Sequence, residues 1–243
     1  MTPDDSVRRA LAGTGRLRAA LNLGNPVLAS SRTAPERPAG VTVDLARACA
    51  AELGVEVELL SFEAAAPAAA ALAAGQADIG FMAIDPQRAQ TLAFTEAYVE
   101  IEGCYLVRED SALQANEEVD RAGHRVLIGR GSAYGLFLAR HLQHAALVEV
   151  PTSEEVPAAL RADPTLDVAA GVRQQLEADA RRLGGVRLLP GRFMVIRQAM
   201  ALPRARGEPA RAWLEDFIAR HRASGFVREA LARHGIEGAT ALP

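Results

Sequence analysis

The stretch ADIGFMAIDPQRAQTLAFTEAYVEIEG, residues 77–103, decides the fold. Its first eight residues, ADIGFMAI, form an apolar run bounded by Gly75-Gln76 and Asp85-Pro86, which is the pattern of a buried strand. Charges of both signs then stand at the strand's mouth, in Asp85-Pro86-Gln87-Arg88. The ends of such strands, facing a crevice, are where α/β proteins hold ligands. Arg88 is therefore the first candidate contact, flanked by Met82, Ala83 and Asp85. Glu100 and Glu102 follow inside a strand-like run and, two apart, share one face.

Working outward, the same logic repeats. GRLRAALNL (15–23) reads as a strand, and SSRTAPERPAG (30–40) as a loop. VTVDLARACAAELG (41–54) has apolar residues at helical spacing and stops at Gly54. VEVELLSF (55–62) alternates as a strand, and AAAPAAAALAAGQ (64–76) is a small-residue helix. Downstream, HRVLIG, ALVEVP and LDVAAGV read as strands. They alternate with helices in RGSAYGLFLARHLQHA, SEEVPAALRAD and RQQLEADARRLGG. VRLLPGRFMVIRQAMAL returns as strands, and two helices fill 207–235. Alternating β and α elements predict mostly parallel sheets covered by helices. The expected architecture is α/β with two lobes. Residues 14–105 plus 200–243 make the first and 108–194 the second, joined by hinge strands near 104–108 and 194–200. The crevice between them is the expected ligand site.

Composition narrows the chemistry. The 243 residues are 49% hydrophobic and 23% charged, with a net charge of -3. Nothing here points to nucleic acid or an anionic membrane surface. The chain contains no lysine, so all 27 basic residues are arginine; Schiff-base and P-loop chemistry are excluded. Cys49 and Cys104 sit in apolar contexts and read as buried free thiols. The five histidines form no metal-ligating pattern, and no metal or cofactor is expected. No G-x-S-x-G or other nucleophile motif occurs. No segment approaches the length of a membrane helix, and the N-terminus has no apolar h-region. These features predict a soluble chain. It is cytoplasmic if Met1 is the true start, and periplasmic if a leader precedes it.

Four segments in order carry a resemblance to a known family: GVTVDLARACAAELGVEVELLSF (40–62), LAAGQADIGFMAIDPQRAQTLAFTEAYV (72–99), IGRGSAYGLFL (128–138) and EDFIARHRASGFVREALARHG (215–235). Together the chain resembles the extracellular solute-binding proteins of family 3, amino-acid and small-acid receptors of ABC importers. The likeness runs from about residue 14 to about 238. It implies the two-lobed type 2 periplasmic-binding fold, a monomer that closes on a small ligand, and an ABC permease as partner. It places the family's binding arginine on Arg88, whose planar fork suits a carboxylate. It places the second lobe's contribution on Gly131, Ser132 and Ala133, at the head of a helix with free N–H groups.

Further candidate contacts are Tyr134 beside that turn, Arg173 and Gln174 after LDVAAGV, Gln198 in the return strand, and Asn25, with Asn22, after the first strand. Three departures from the family bear on the ligand. NLGNPVLASS (22–31) offers no aromatic ring. Gly171 and Val172 stand where an acidic residue would take an α-ammonium. Asp85 replaces a Thr or Ser. The expected ligand is thus a small organic anion without a free α-ammonium, or one recognised through Asp85, Glu100 or Glu102. The alternative implied by the resemblance is a dehydratase of the cyclohexadienyl or prephenate type, with Glu100 or Glu102 as acid/base.

Overall fold

A computed structural model describes residues 3–31 and 37–243. Part of the loop expected over 30–40, residues 32–36, lies outside the described residues. In chain order the elements are α1 (Asp5–Ala12), β1 (Arg16–Asn22), α2 (Val41–Leu53), β2 (Glu56–Phe62), α3 (Ala65–Ala73), β3 (Ile79–Ala83), β4 (Leu92–Arg108) and β5 (Arg125–Gly129). There follow α4 (Ala133–His141), β6 (Ala146–Val150), α5 (Val156–Ala162), β7 (Val168–Val172), α6 (Arg173–Leu183), β8 (Val186–Leu188), β9 (Met194–Pro203), α7 (Glu208–Ala223), α8 (Phe226–Arg233) and β10 (Thr240–Ala241).

The chain divides into two compact units, Met1–Glu100 with Arg197–Pro243, and Ile101–Ile196. The chain crosses from the first unit to the second inside β4 and back inside β9. In the first unit β1 lies between β2 and β3 and is parallel to both. β3 then pairs antiparallel with β9, Ala83 opposite Gln198. The helices cover this sheet as its apolar faces require. Ala20, Leu72, Ala77, Met82, Leu92 and Ala201 make one buried cluster. On α7, Trp213, Leu214 and Phe217 are fully buried at the helical spacing that the sequence gives them.

A buried carboxylate fixes the start of this sheet. Asp78 is 1% exposed and accepts from Arg18 Nε at 3.0 Å, Arg18 Nη2 at 2.8 Å and Arg206 Nη2 at 2.6 Å. It also accepts from the Arg18 backbone N–H at 2.9 Å. Such saturation is what allows an ionised carboxylate to stay inside.

The second unit repeats the design. β5 is parallel to both β6 and β7, and β7 pairs antiparallel with β4. Cys104, Leu106, Leu127, Leu160, Ala169 and Leu176 lie in one apolar cluster under α5 and α6. Within each unit the pairing is therefore mixed and not mostly parallel as expected: parallel where β-α-β units build it, antiparallel where β4 and β9 pass through. At the N-terminus, the segment without an apolar h-region forms α1. Asp4 caps it, its Oδ1 accepting from Ser6 N–H at 2.8 Å and Val7 N–H at 2.9 Å.

Candidate functional site

Parallel pairing of β1 and β3 brings their C-terminal ends to one edge of the first unit's sheet, and β9 starts at the same edge. Asn22, Ala83 and Gln198 thus lie together at a sheet end. Beyond β3 the chain turns sharply. Asp85 Oδ1 accepts from the Gln87 N–H at 2.8 Å and from the Arg88 N–H at 3.4 Å. This Asx-type turn starts a 3-10 turn at Arg88–Gln90. It folds Arg88 back on the strand, and Arg88 Nη1 donates to the Ala83 carbonyl at 3.1 Å.

Arg88 is only 8% exposed. Burial lowers its pKa, opposed by the nearby Asp85 carboxylate; a guanidinium stays charged through such a shift. Gln198, opposite Ala83, is a primary amide only 6% exposed inside an apolar strand. Asn25 lies in the loop after β1, and its side-chain carbonyl oxygen is buried with no hydrogen-bond partner among the described residues. Asn22 Oδ1 accepts from the Gly24 N–H at 3.1 Å and serves the turn.

Other candidates of this unit have different surroundings. Met82 points into the apolar cluster beneath the sheet, so only its backbone faces the strand end. Glu100 is paired with Arg197 Nε at 3.1 Å and lies opposite Thr240 of β10.

In the second unit, β5 ends at Gly129 and the chain enters α4 through Gly131, whose φ of 64° is the left-handed conformation glycine takes most easily. Ser132 is the N-cap and accepts from the Gly135 N–H at 3.0 Å. The N–H groups of the first turn, from Ala133 onward, are of the kind that bind anions. Tyr134 is buried beside this turn. Its hydroxyl donates to Ser153 Oγ at 2.8 Å, and burial raises its pKa.

Glu102 is the centre of an ion-pair cluster. It accepts from Arg173 Nε at 2.5 Å and from Arg192 Nη1 at 2.5 Å. Arg192 first, and Arg173 after it, hold this carboxyl below the usual value of 4.5. Arg173 also reaches Glu177 at 3.7 Å and the Gly191 carbonyl at 2.6 Å. Arg173, at the first position of α6, is thus paired with carboxylates of its own unit. Gln174 follows on the first turn of α6, half-buried. Arg192 escaped sequence reasoning, because its partner lies 90 residues away and no local pattern marks it.

Glu102 is stabilised as its anion, the opposite of the shift a general acid needs. Among the described residues no group of three His, Cys, Asp or Glu could hold a metal ion. No described helix is long and apolar enough to cross a membrane. A cavity of about 350 Å³ opens elsewhere in the second unit, with Arg108, Asp110, Glu118, Arg121, His124 and Asp167 among its lining. None of the sequence-derived candidates borders it.

Comparison with known proteins bears on the fold. An amino-acid ABC transporter substrate-binding protein from Streptococcus pneumoniae, bound to L-arginine, superposes with a TM-score of 0.78 at 19% identity, over 93% of this chain and 97% of that one. A putative ABC transporter binding component from Wolinella succinogenes, complexed with lysine, gives 0.75 at 21% identity over 90% and 95%. An ancestral amino-acid-binding protein, described as a precursor of cyclohexadienyl dehydratase, gives 0.75 at 20% over 92% and 96%. At such identities the likeness shows the type 2 periplasmic-binding fold. No curated protein matches the chain. The family model for bacterial extracellular solute-binding proteins, family 3, matches residues 20–236, and the chain belongs to that family.

Proposed function

We propose that the protein binds a small carboxylic acid for an ABC importer, and that Arg88 takes the ligand's carboxylate. The observation that supports this is a buried guanidinium at the end of a parallel strand, on the same sheet edge as Gln198. Asx-turn geometry at Asp85 and the bond to Ala83 hold it in place. A fixed guanidinium binds a carboxylate without the entropic cost of ordering a long side chain. The N–H groups at the head of α4 are a second proposed contact for anionic groups.

The finer reading concerns the rest of the ligand. An α-ammonium entering a dry site requires a carboxylate acceptor. Glu102 is already saturated by two arginines, Glu100 is paired with Arg197, and Val172 and Gly171 provide no acid. Asn25 presents a neutral acceptor oxygen without a donor among the described residues. This favours a 2-hydroxy acid, whose neutral O–H can fill that acceptor.

Calorimetry with matched amino, 2-hydroxy and 2-oxo acids tests both statements. Arg88→Ala is expected to weaken every acid by about 2–5 kcal/mol, the cost of removing one member of a buried charge pair. Unchanged affinity in a folded variant would refute the carboxylate assignment. Tighter binding of the amino acids than of their hydroxy counterparts would refute the finer reading alone.

A further inference from the structure

The turn that carries Arg88 is built with a charge that the turn alone does not need. Asp85 is 3% exposed. Its Oδ1 accepts from the Gln87 and Arg88 N–H groups, and its carbonyl accepts from the Ala89 N–H at 2.9 Å. A serine or threonine hydroxyl could accept the same side-chain bonds with no charge to desolvate. A carboxylate is costly to bury unless a cation or several donors meet it. Here the cation is three residues on. Arg88 is itself 8% exposed, and the Asp85 carboxylate favours its ionised form against burial.

The charged groups on the segments bonded to this turn are engaged elsewhere. Along β9, the Ile84 N–H donates to the Arg197 carbonyl at 2.9 Å, and the Arg197 side chain pairs with Glu100 at 3.1 Å. In the 3-10 turn Arg204–Arg206, Arg204 Nε donates to the Ala89 carbonyl at 2.8 Å, and its N–H donates to the Thr91 carbonyl at 3.0 Å. Arg206 is held by Asp78 at 2.6 Å. Gln198, opposite Ala83, is neutral. Residues 83–91 and 194–206 contain no histidine. The turn itself thus sets one buried guanidinium against one buried carboxylate.

We propose that Asp85 competes with the ligand for Arg88, and that a carboxylic acid binds there together with one proton, which Asp85 takes up. This rests on the reading of Arg88 as the carboxylate contact and concerns the first unit alone. A second carboxylate brought to Arg88 puts two anions against one cation in a place with little water. Two carboxylates that share one site favour the state in which one of them is protonated. The ligand's carboxylate, facing the guanidinium fork, stays ionised; the proton, drawn from solvent, goes to an Asp85 oxygen. The charge at the turn is then the same before and after binding. The N–H groups of the turn keep an acceptor in the carbonyl oxygen of the neutral acid. Asp85 holds its proton more firmly in the complex than in the free protein, so affinity rises as pH falls.

The test titrates lactate, pyruvate and alanine, and their phenyl-bearing counterparts, into the full chain at about pH 5 and about pH 7.5, where their carboxyl groups are ionised. The acids that bind are expected to do so at least about fivefold more tightly at the lower pH, the direction that proton uptake dictates. Calorimetry in two buffers of different ionisation enthalpy reads the proton directly. Asp85→Asn keeps an acceptor for the Gln87 N–H and should bind at about pH 7.5 within about threefold of the wild type at about pH 5, with no proton taken up. Asp85→Ser should behave alike, and thermal melting checks that both variants fold. A role for Asp85 in the turn alone would lower the melting temperature and leave the pH slope in place. Binding to the wild type without proton uptake overturns the proposal, whether or not the variants fold, and so does a slope that persists in both variants. Arg88→Ala tests the reading beneath. Undiminished affinity in that variant refutes the carboxylate assignment, whereas affinity lost there with no proton taken up by the wild type removes only the role of Asp85. A wild type that binds none of these acids at about 10 mM, the weakest range calorimetry reads, overturns both.

Discussion

Glu102 shows how a single side chain can change meaning between sequence and fold. Two carboxylates at i, i+2 invited an acid/base assignment, yet Arg192 and Arg173 close on Glu102 and keep it ionised. A carboxyl whose folded pKa is depressed contributes stability that is present above its unfolded value and lost as pH falls through the folded one. Unfolding midpoints measured by denaturant should therefore fall below pH 4.5, and Glu102→Gln should flatten that decline. An equally steep decline in the variant would show that the cluster adds nothing. Asp78 is the harsher case. Asp78→Asn leaves Arg18 and Arg206 facing a neutral amide in a largely buried position, and urea denaturation should show a loss of about 3 kcal/mol. The position of Arg88 at a strand end was legible because a proline turn after an apolar strand places it locally. The pairs of Glu102 and Asp78 were not, because they join residues 60 to 128 positions apart.

At the scale of elements, periodicity placed the helices and parallel strands within a few residues. α2, read as 41–54, is Val41–Leu53, and β5, read as 124–129, is Arg125–Gly129. What periodicity missed has physical causes. α1 is short and polar, and its start depends on the Asp4 cap. β10 is two residues long and exists only because β4 offers an edge at Val99 and Glu100. The antiparallel sense of β9 against β3 follows from where the chain returns, which no local pattern encodes. α4 was read as following a Gly-Ser turn and running to 145. The Gly131 turn and the Ser132 cap do set its start, but it ends at His141, where Leu142 turns extended. Ser132→Ala should cost about 1 kcal/mol of stability through the lost cap to Gly135 N–H. Denaturant melts of the variant would check this, and no change would mean that another group replaces the cap.

For the whole molecule, the two compact units were legible from the repeated β-α-β order, whereas the ligand's identity was not, because it depends on side chains brought together from distant segments. A cognate ligand at about 100 times its dissociation constant should raise stability by about 2.7 kcal/mol, readable as a thermal shift. Each unit contains one cysteine, Cys49 in the first and Cys104 in the second, both free and fully buried. Burial pushes the Cys104 thiol up to about 11 and the Cys49 thiol up as well, so neither is a thiolate at neutral pH. The native chain should stay unlabelled by a thiol reagent, and in rising urea each cysteine should react only as its own unit opens. Mass spectrometry of the labelled peptides then times the opening of the two halves independently, without any engineered probe. The protein carries its own pair of clocks, and a ligand that steadies one half more than the other would be seen to slow one clock and not its twin.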